Sequence, residues 1–318
     1  MEDLFSRKEL IYAIYREGSI SRAAQKLFIA QPSLSVMVKK LEERMGLPLF
    51  DRTSKPLRLT EAGEEYIRCT EQIHHIESAF ANYVSAVNGL QAGSLGIGSN
   101  QLLSSLVLPR YISSFIQRYP KIRLTLLDAN STTLVNQIMA GQLDIVIDNH
   151  ELPEELFERQ RLRGEWLLLA VPAAFPQTEA VRRCQLTYRD VLEGRHRSDS
   201  LPPVPLEAFR EVPFLLMTRD NDTRMHTNAI FQEVGFSPRV LLEIDRLVTL
   251  YSYIEMGTAA SVVSDTLVKH VQAGGSEGIL FYKLPTEHAR RDIFVSYKRN
   301  KYYSKAMEMF IESLHELE

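Results

Sequence analysis

The sequence predicts an α/β protein in three parts: a small helical head, one long helix, and a larger body of alternating strands and helices. Apolar residues recur at helical spacing up to about residue 60, and a heptad repeat follows as far as Val87. Short apolar runs then alternate with amphipathic segments beyond Ser94. The 318 residues exceed one typical domain, and 45% of them are hydrophobic, which is enough for a sizeable core.

The head, residues 1–60, predicts three short helices and a hairpin. The helices are expected at 4–17, 22–27 and 31–45, and the hairpin at 49–59. Gly18 ends the first helix, and Ser21 is expected to cap the second. Phe28-Ile29-Ala30 is too apolar for an exposed loop, so we expect a tight turn between packed helices.

The third helix presents small polar residues and lysines outward, a surface that fits the major groove of DNA. Glutamine pairs with adenine and serine bonds base edges or phosphates, while cations at the hairpin tip reach the backbone or the minor groove. The residues expected to contact DNA are Ser21, Arg22, Gln31, Pro32, Ser33, Ser35, Val36, Lys39, Arg52, Thr53 and Lys55. The alternative is a small helical subdomain with solvated charges.

Charge is distributed unevenly along the chain. The formal net charge is -3, yet residues 1–60 carry eleven Lys and Arg against seven Asp and Glu. Residues 61–90 carry one basic residue against five acidic ones. A basic head on an acidic body favours a polyanionic partner for the head alone.

Residues 61–90 predict a linker helix that pairs with a second copy of the chain. Apolar residues from Ala62 to Val87 alternate in steps of four and three, which is typical of a coiled-coil surface. The residues expected at the dimer contact are Tyr66, Ile73, Ile76, Phe80 and Tyr83. The alternative is a helix packed on its own domain. The neighbouring His74 and His75 face different sides of this helix, so no metal site is expected.

The body, residues 91–318, predicts two sheets and therefore two lobes with a ligand site between them. In such sheets ligands bind outside the carboxyl ends of the strands, where helices begin. The effector-binding residues expected there are Ser99, Asn100, Gln101, Ser131, Thr132, Asp148, Thr218, Thr223 and Ser264. Helix N-termini favour anions, so a carboxylate-bearing metabolite is the leading candidate. Asp148 and Asp265 oppose a strongly anionic ligand unless Arg219 or Arg224 compensates.

Several motifs resemble those of the LysR-type transcriptional regulators. They are Gly18-Ser19-Ile20-Ser21-Arg22-Ala23-Ala24-Gln25-Lys26-Leu27, Gln31-Pro32-Ser33-Leu34-Ser35, Leu41-Glu42, Leu49-Phe50-Asp51-Arg52 and Leu59-Thr60-Glu61-Ala62-Gly63. Two positions depart from the family pattern: Val36 offers only apolar contact where Arg or Gln is common, and Ala30 replaces a capping Ser or Thr.

The resemblance implies a winged helix-turn-helix, a linker helix and a two-lobed α/β effector domain similar to periplasmic solute-binding proteins. It places lobe one at 94–163 and 268–318 and lobe two at 164–267. It also implies a homodimer or homotetramer on pseudo-palindromic promoter DNA, with RNA polymerase as a further partner. Residues 177–205 are expected to form a longer and more exposed connection than the family usually has.

We therefore expect an effector-responsive transcription factor without a cofactor. An enzyme is the alternative, but the sequence has no Gly-rich phosphate loop, GxSxG or HExxH motif. A transport solute-binding protein is disfavoured because the acidic N-terminus does not resemble a signal peptide. No apolar run approaches the length of a membrane span, so we expect a cytoplasmic protein.

Overall fold

The computed structural model describes residues 4–54, 56–87, 93–271, 278–299 and 302–316. They fall into two units, one of residues up to Val84 with Met139–Gln142, the other of Ser85–Ile138 with Leu143 onward. The break expected around Gly89 lies outside the described residues. Within the described residues, the helices are all too short or too polar to cross a bilayer.

The first unit begins with the three helices and the hairpin that the sequence predicts. Its elements are α1 Lys8–Glu17, α2 Ile20–Lys26, α3 Gln31–Met45, β1 Phe50–Asp51 and β2 Arg58–Leu59. The two strands pair antiparallel, with Phe50 opposite Leu59. Ile14, Leu34 and Leu49 are fully buried where the helices and the hairpin meet. The predicted winged helix-turn-helix is therefore confirmed.

The cap of α2 differs from the prediction. Gly18 takes the left-handed conformation at φ 57° and ends α1, which leaves Ser19 extended. The Ser19 hydroxyl then accepts a hydrogen bond from the Arg22 amide at 3.4 Å. Ser21 is already inside the helix, so Ser19 caps it. Ala30 precedes α3 without a side-chain cap, as its methyl group requires.

The turn between α2 and α3 also differs from the prediction. Leu27 and Ile29 pack against the core of the head, but Phe28 between them is 97% exposed. Its φ of 55° lies in the left-handed region, which a residue other than glycine adopts at a cost. The expectation of a packed turn was therefore wrong at Phe28, because the chain reversal points this one side chain outward.

The linker helix, α4, runs from Glu61 to Val87, a length of about 40 Å. It begins against the hairpin, where a Cβ on Gly63 would lie 2.0 Å from the Leu49 carbonyl oxygen, so only glycine fits. Tyr66 is buried in the head, stacks on Phe5 and donates to the Leu4 carbonyl at 2.9 Å. The prediction of Tyr66 as a dimer contact is therefore corrected: this ring fills the core of its own head.

The second unit alternates strands and helices. Its strands are β3 Gly93–Ser99, β4 Ile122–Asp128, β5 Ile145–Asp148, β6 Phe157–Pro172, β7 Gln185–Leu186, β8 Pro213–Met217, β9 Arg239–Ile244, β10 Ser261–Ser264, β11 Ile279–Lys283 and β12 Arg290–Lys298. Its α-helices are α5 Leu108–Arg118, α6 Ser131–Met139, α7 Gln177–Ala180, α8 Tyr188–Leu192, α9 Asp222–Glu233, α10 Leu247–Glu255, α11 Asp265–His270 and α12 Lys305–Glu316. A π-helical turn at Leu103–Val107 precedes α5.

Lobe one is a sheet in the order β4-β3-β5-β12-β6. Strand β3 pairs parallel with both β4 and β5, as the strand-helix alternation predicts, whereas β12 runs antiparallel to its neighbours. Helices α5 and α12 cover the sheet, with Phe115 and Phe310 packed edge to face in the core.

Lobe two shares the long strand β6 with lobe one. Residues 157–166 of β6 pair with β12, and residues 167–172 pair with β10 and β11. Strand β11 and helix α11 therefore belong to lobe two, and the chain returns to lobe one between β11 and β12. The predicted boundary at residue 268 is thus too early by about twenty residues, because β11 pairs with the lobe-two half of β6.

The connection at 177–205 is more ordered and more buried than expected. It contains α7, β7 and α8, and Cys184, Leu186 and Val191 are buried in the core of lobe two. His196 is fully buried and lies 3.1 Å from Asp265. Although burial raises it, the hydrogen bond with His196 and the charge of Lys269 hold the pKa of Asp265 below its ordinary value.

Candidate functional site

The outer face of α3 is an exposed, largely polar surface of the head. Gln31, Pro32 and Ser33 are exposed at its first turn, where backbone amides lack helical partners. The Gln31 amide nitrogen donates to the Ser35 hydroxyl at 2.9 Å. This bond holds two hydrogen-bonding side chains next to each other, one turn apart, on the same face of the helix.

Further along α3 the exposed face carries an apolar side chain and a cation. Val36 is 51% exposed. An aliphatic side chain therefore occupies the position at which the family pattern commonly has a polar Arg or Gln. Lys39 is exposed and lies 3.5 Å from Glu43, a surface pair that leaves the ammonium accessible to solvent. On α2, Ser21 is exposed, and the Arg22 guanidinium donates to the Glu17 carbonyl.

Glu42 positions the wing, a role that sequence reasoning missed. Its carboxylate accepts hydrogen bonds from the Leu49 amide at 2.8 Å and the Phe50 amide at 3.3 Å. It also lies 2.7 Å from the guanidinium of Arg52, which stays half-exposed. A single carboxylate on α3 thus fixes the start of β1 and aims the first cation of the wing.

The wing tip is organised by a second carboxylate. Hydrogen bonds from Ser54 and Thr53 lower the pKa of Asp51 to about 2, so it is ionised at neutral pH. The Thr53 hydroxyl donates to Asp51 at 2.6 Å, and the neighbouring Arg52 is an exposed cation. Lys55, the other predicted wing contact, lies outside the described residues.

The outer half of α4 carries an apolar stripe of exposed side chains. Contacts from α1 reach as far as Lys8 with Glu77 at 2.9 Å. Ile73 is half-buried, and the stripe itself consists of Ile76, Phe80, Tyr83 and Val84, of which Ile76 and Phe80 are 66% and 67% exposed. The rings of Phe80 and Tyr83 are stacked at 6.4 Å. Of the predicted dimer contacts, Ile76, Phe80 and Tyr83 therefore share one open face.

A cavity of about 350 Å³ lies between the two lobes, at the ends of the strands. Lobe one contributes Asn100, Ser131 and Asp148, and lobe two contributes Asn221 and Thr223. The other lining residues are Gln101, Leu102, Asp128, Ala129, Asn130, Asn149, Met217, Asp220, Asp222, Asp245, Arg246, Leu247 and Arg291. Their composition is mostly polar, with Leu102, Met217 and Leu247 as the larger apolar members.

Asp148 is the buried carboxylate of the lobe-one wall. It accepts hydrogen bonds from Asn100 at 2.6 Å, Ser131 at 2.7 Å and the Asn149 amide at 2.8 Å. Burial raises the pKa of Asp148, and the hydrogen bonds from Ser131 and Asn100 oppose that rise. The carboxylate is thus fully bonded within the protein and still faces the cavity.

Arg291 joins the two lobes beneath the cavity. Its guanidinium lies 2.6 Å from Glu165 at the crossing of β6 and 2.6 Å from Asp222 at the first turn of α9. It also donates to the Thr223 hydroxyl at 3.2 Å. Arg291 and Glu165 are both buried, so their ion pair within lobe one is shielded from water, and the contact with Asp222 links lobe one to lobe two.

The cavity includes five of the nine predicted effector residues, namely Asn100, Gln101, Ser131, Asp148 and Thr223. The other four are corrected. The Ser99 hydroxyl donates inward to the Ile147 carbonyl at 2.7 Å, and Ser264 is consumed as the buried N-cap of α11. Thr132 points to solvent from α6, and Thr218 is absent from the lining.

The cations that line the cavity are not the predicted ones. Arg224 donates to the Met217 carbonyl and pairs with Glu243 at 2.9 Å, and neither it nor Arg219 is in the lining. Arg246 and Arg291 take that place. Sequence reasoning passed over both because Arg246 follows β9 and Arg291 lies at the start of β12 with no local motif to mark either residue.

The groups that line the cavity can bind a molecule through hydrogen bonds and charge. Its lining contains no histidine, lysine, cysteine or tyrosine. Across the part of the chain that the structure describes, no three His, Cys, Asp or Glu side chains gather closely enough to hold a metal ion. Amides, hydroxyls, carboxylates and two guanidinium groups remain, which recognise a polar metabolite through hydrogen bonds and charge.

Comparisons with known proteins cover nearly the whole chain. Residues 6–64 match the family model of the bacterial regulatory helix-turn-helix proteins of the lysR family, and residues 88–318 match the LysR substrate binding domain. The chain is 26% identical to a probable RuBisCO transcriptional regulator of Gracilaria tenuistipitata var. liui, over 96% of this chain and 93% of that protein. It is 25% identical to the HTH-type transcriptional regulator YcgK of Bacillus subtilis (strain 168), over 94% and 90%.

Among solved structures, full-length CbnR in complex with its target DNA superimposes with a TM-score of 0.68. That likeness covers 97% of this chain and 98% of the other, at 18% sequence identity, and it shows a shared fold. The two family models leave only residues 65–87 between them, which is most of α4.

Proposed function

This chain belongs to the LysR family of bacterial transcriptional regulators, and from that premise we propose how its own residues divide the work. The first turn of α3 and the wing read promoter DNA. The apolar stripe of α4 pairs two copies, and the inter-lobe cavity receives the small molecule that modulates DNA binding. The observation that carries the DNA assignment is the pair of exposed Gln31 and half-buried Ser35, held 2.9 Å apart on the face of α3.

The α3 face fits the major groove by size and by chemistry. An α-helix enters that groove, and paired side chains such as Gln and Ser read the edges of bases there. Val36 adds a surface for a thymine methyl group. Arg52, aimed by Glu42, supplies a phosphate or minor-groove contact beside the helix.

Self-association through α4 is proposed because the head leaves the apolar stripe of this helix exposed. Tyr66 and Ile67 are buried in the head, whereas Ile76 and Phe80 are about two-thirds exposed. A second copy of α4 covers such a stripe with the same residues, as a two-fold interface requires. Two heads then meet a pseudo-palindromic site, and tetramer formation and contact with RNA polymerase remain predictions.

A sensing role for the body rests on the cavity. Its polar lining comes from both lobes, so a bound molecule touches both and shifts the balance between open and closed arrangements. We propose that the chain acts in the cytoplasm, catalyses no reaction and holds no cofactor. Membership of a family of DNA-binding transcriptional regulators supports this proposal.

The test is the binding of the full-length protein to DNA from the region upstream of its own gene. Fluorescence anisotropy compares that fragment with a scrambled fragment of equal length at several salt concentrations. We expect the native fragment to bind at least about a thousandfold more tightly, with affinity falling steeply as salt rises. Equal affinity for both fragments, or no binding at low salt, would overturn the proposal.

A further inference from the structure

The inter-lobe cavity carries an excess of negative charge. Five aspartates line it, Asp128, Asp148, Asp220, Asp222 and Asp245, against the two arginines Arg246 and Arg291. A carboxylate is therefore a poor sole recognition group for its ligand, because like charges in a confined space repel strongly. The net negative charge of the cavity lining points to a ligand that carries positive charge.

Part of this charge is already balanced inside the protein. Arg291 is shared between Glu165 and Asp222, each at 2.6 Å, so it has little left to offer an incoming anion. Asp148 accepts three hydrogen bonds from its own lobe. These buried groups form the floor of the site and already have partners within the protein.

The remaining charges are open. Among the described residues Asp128, Asp220 and Asp245 have no hydrogen-bond or ion-pair partner, and all three are exposed. Arg246 is exposed, and its guanidinium likewise has no hydrogen-bond or ion-pair partner in the described part of the chain. Three free carboxylates thus surround the cavity with one free guanidinium, and two of the carboxylates and the guanidinium come from lobe two.

We infer that the effector is an amine-bearing metabolite whose ammonium group is held by the free carboxylates of the cavity. This inference rests on the proposed sensing function of the same site. A carboxylate on the ligand, where one is present, pairs with Arg246. The expectation of a carboxylate-bearing metabolite is thereby revised, since an amine becomes the required group and a carboxylate an additional one.

The geometry favours an organic cation over a metal ion. The described residues contain no cluster of three ligands for a metal, so the aspartates stand too far apart to converge on a single ion. A chain that carries two ammonium groups reaches two separated carboxylates, and a single ammonium group needs only one of them. The volume of about 350 Å³ is at the small end of ligand sites, which suits a molecule of amino-acid size.

Calorimetry on the full-length protein with three matched probes tests the inference. Cadaverine, aminovalerate and glutarate share one carbon-chain length and carry two amines, one amine with one carboxylate, and two carboxylates. We expect the two amine-bearing probes to bind at least about tenfold more tightly than glutarate. In the double variant Asp220→Asn with Asp245→Asn, we expect cadaverine affinity to fall by about tenfold or more.

A control removes the same charge elsewhere. Asp199→Asn with Glu211→Gln neutralises two exposed acids outside the cavity and should leave cadaverine affinity within about twofold. Glutarate binding as tightly as the amines, amine binding unchanged in the cavity variant, or no binding by either amine would overturn the inference. Promoter binding by the ligand-free protein tests the proposed function separately, because the amine assignment can fail while DNA binding persists.

Discussion

The DNA-reading face and the inter-lobe cavity are built in opposite ways. On the head, the side chains that define the face come from one helix and one hairpin, with Gln31 and Ser35 four residues apart and Glu42 and Arg52 ten apart. In the cavity, Arg291 meets Glu165 across 126 residues and Asp222 across 69. The first site depends on local sequence, and the second on correct assembly of both lobes.

The two sites also differ in burial. The polar groups of the head face are exposed, so each substitution there should change DNA affinity with little effect on folding. The floor of the cavity is buried, so its charges are tied to the stability of the body. Substitutions that change DNA affinity without changing stability, or the reverse, test this contrast.

The largest effect on stability is expected at Arg291, which pairs with the buried Glu165 within lobe one and with Asp222 of lobe two. Arg291→Met leaves the buried Glu165 without its counter-charge, which should cost about 3–5 kcal/mol of unfolding free energy. Arg299→Met, which removes a half-exposed pair with Glu158, should cost less than about 1 kcal/mol. Urea denaturation measures both, and equal losses would show that the lobes do not depend on the buried pair.

The next effect concerns self-association. Ile76→Asp with Phe80→Asp places two charges on the exposed stripe and should raise the dimer dissociation constant by at least about tenfold. Sedimentation velocity measures it. Ser78→Asp with Ala81→Asp adds the same charge to exposed positions of α4 outside the stripe and should leave the mass unchanged. Equal behaviour of the two variants would remove the stripe as the dimer contact.

The smallest effect concerns pH. Because burial raises the pKa of Asp148, the native state holds this proton to higher pH than the unfolded state does. Its contribution to stability is therefore present at acid pH and declines as pH rises through the shifted pKa. Asp148→Asn keeps the acceptor for Asn100 without the charge, so it should be more stable than wild type at neutral pH. A thermal melt at acid and neutral pH checks this, and a less stable variant at neutral pH would contradict it.

The sequence predicts well what local patterns determine. The helix α3, the hairpin with Arg52 and the long helix α4 all appear where expected, because each depends on residues within a few turns of one another. Gln31 and Ser35 belong to this class. So do Asn100 and Asp148, which follow strands whose order alone places them at one edge of a sheet.

Other features depend on the tertiary structure. Tyr66 fits the heptad spacing, but its side chain is buried in the core of the head instead. The first half of β6 reads as a polar segment in sequence, yet it pairs along its length with β12. Phe28 appears apolar enough for burial, but backbone reversal decides its direction. Arg291 has no signal in its surroundings, because its partners come from other segments.

The most direct measurement is the affinity of the full-length protein for its promoter fragment in wild type, Ser35→Ala and Ser35→Glu. Circular dichroism first establishes that all three are folded. The account predicts a loss within about tenfold for Ser35→Ala, and at least about a hundredfold for Ser35→Glu, since a carboxylate on this face of α3 would enter the groove among phosphates. Wild-type affinity in Ser35→Glu would contradict the placement of α3 in the groove.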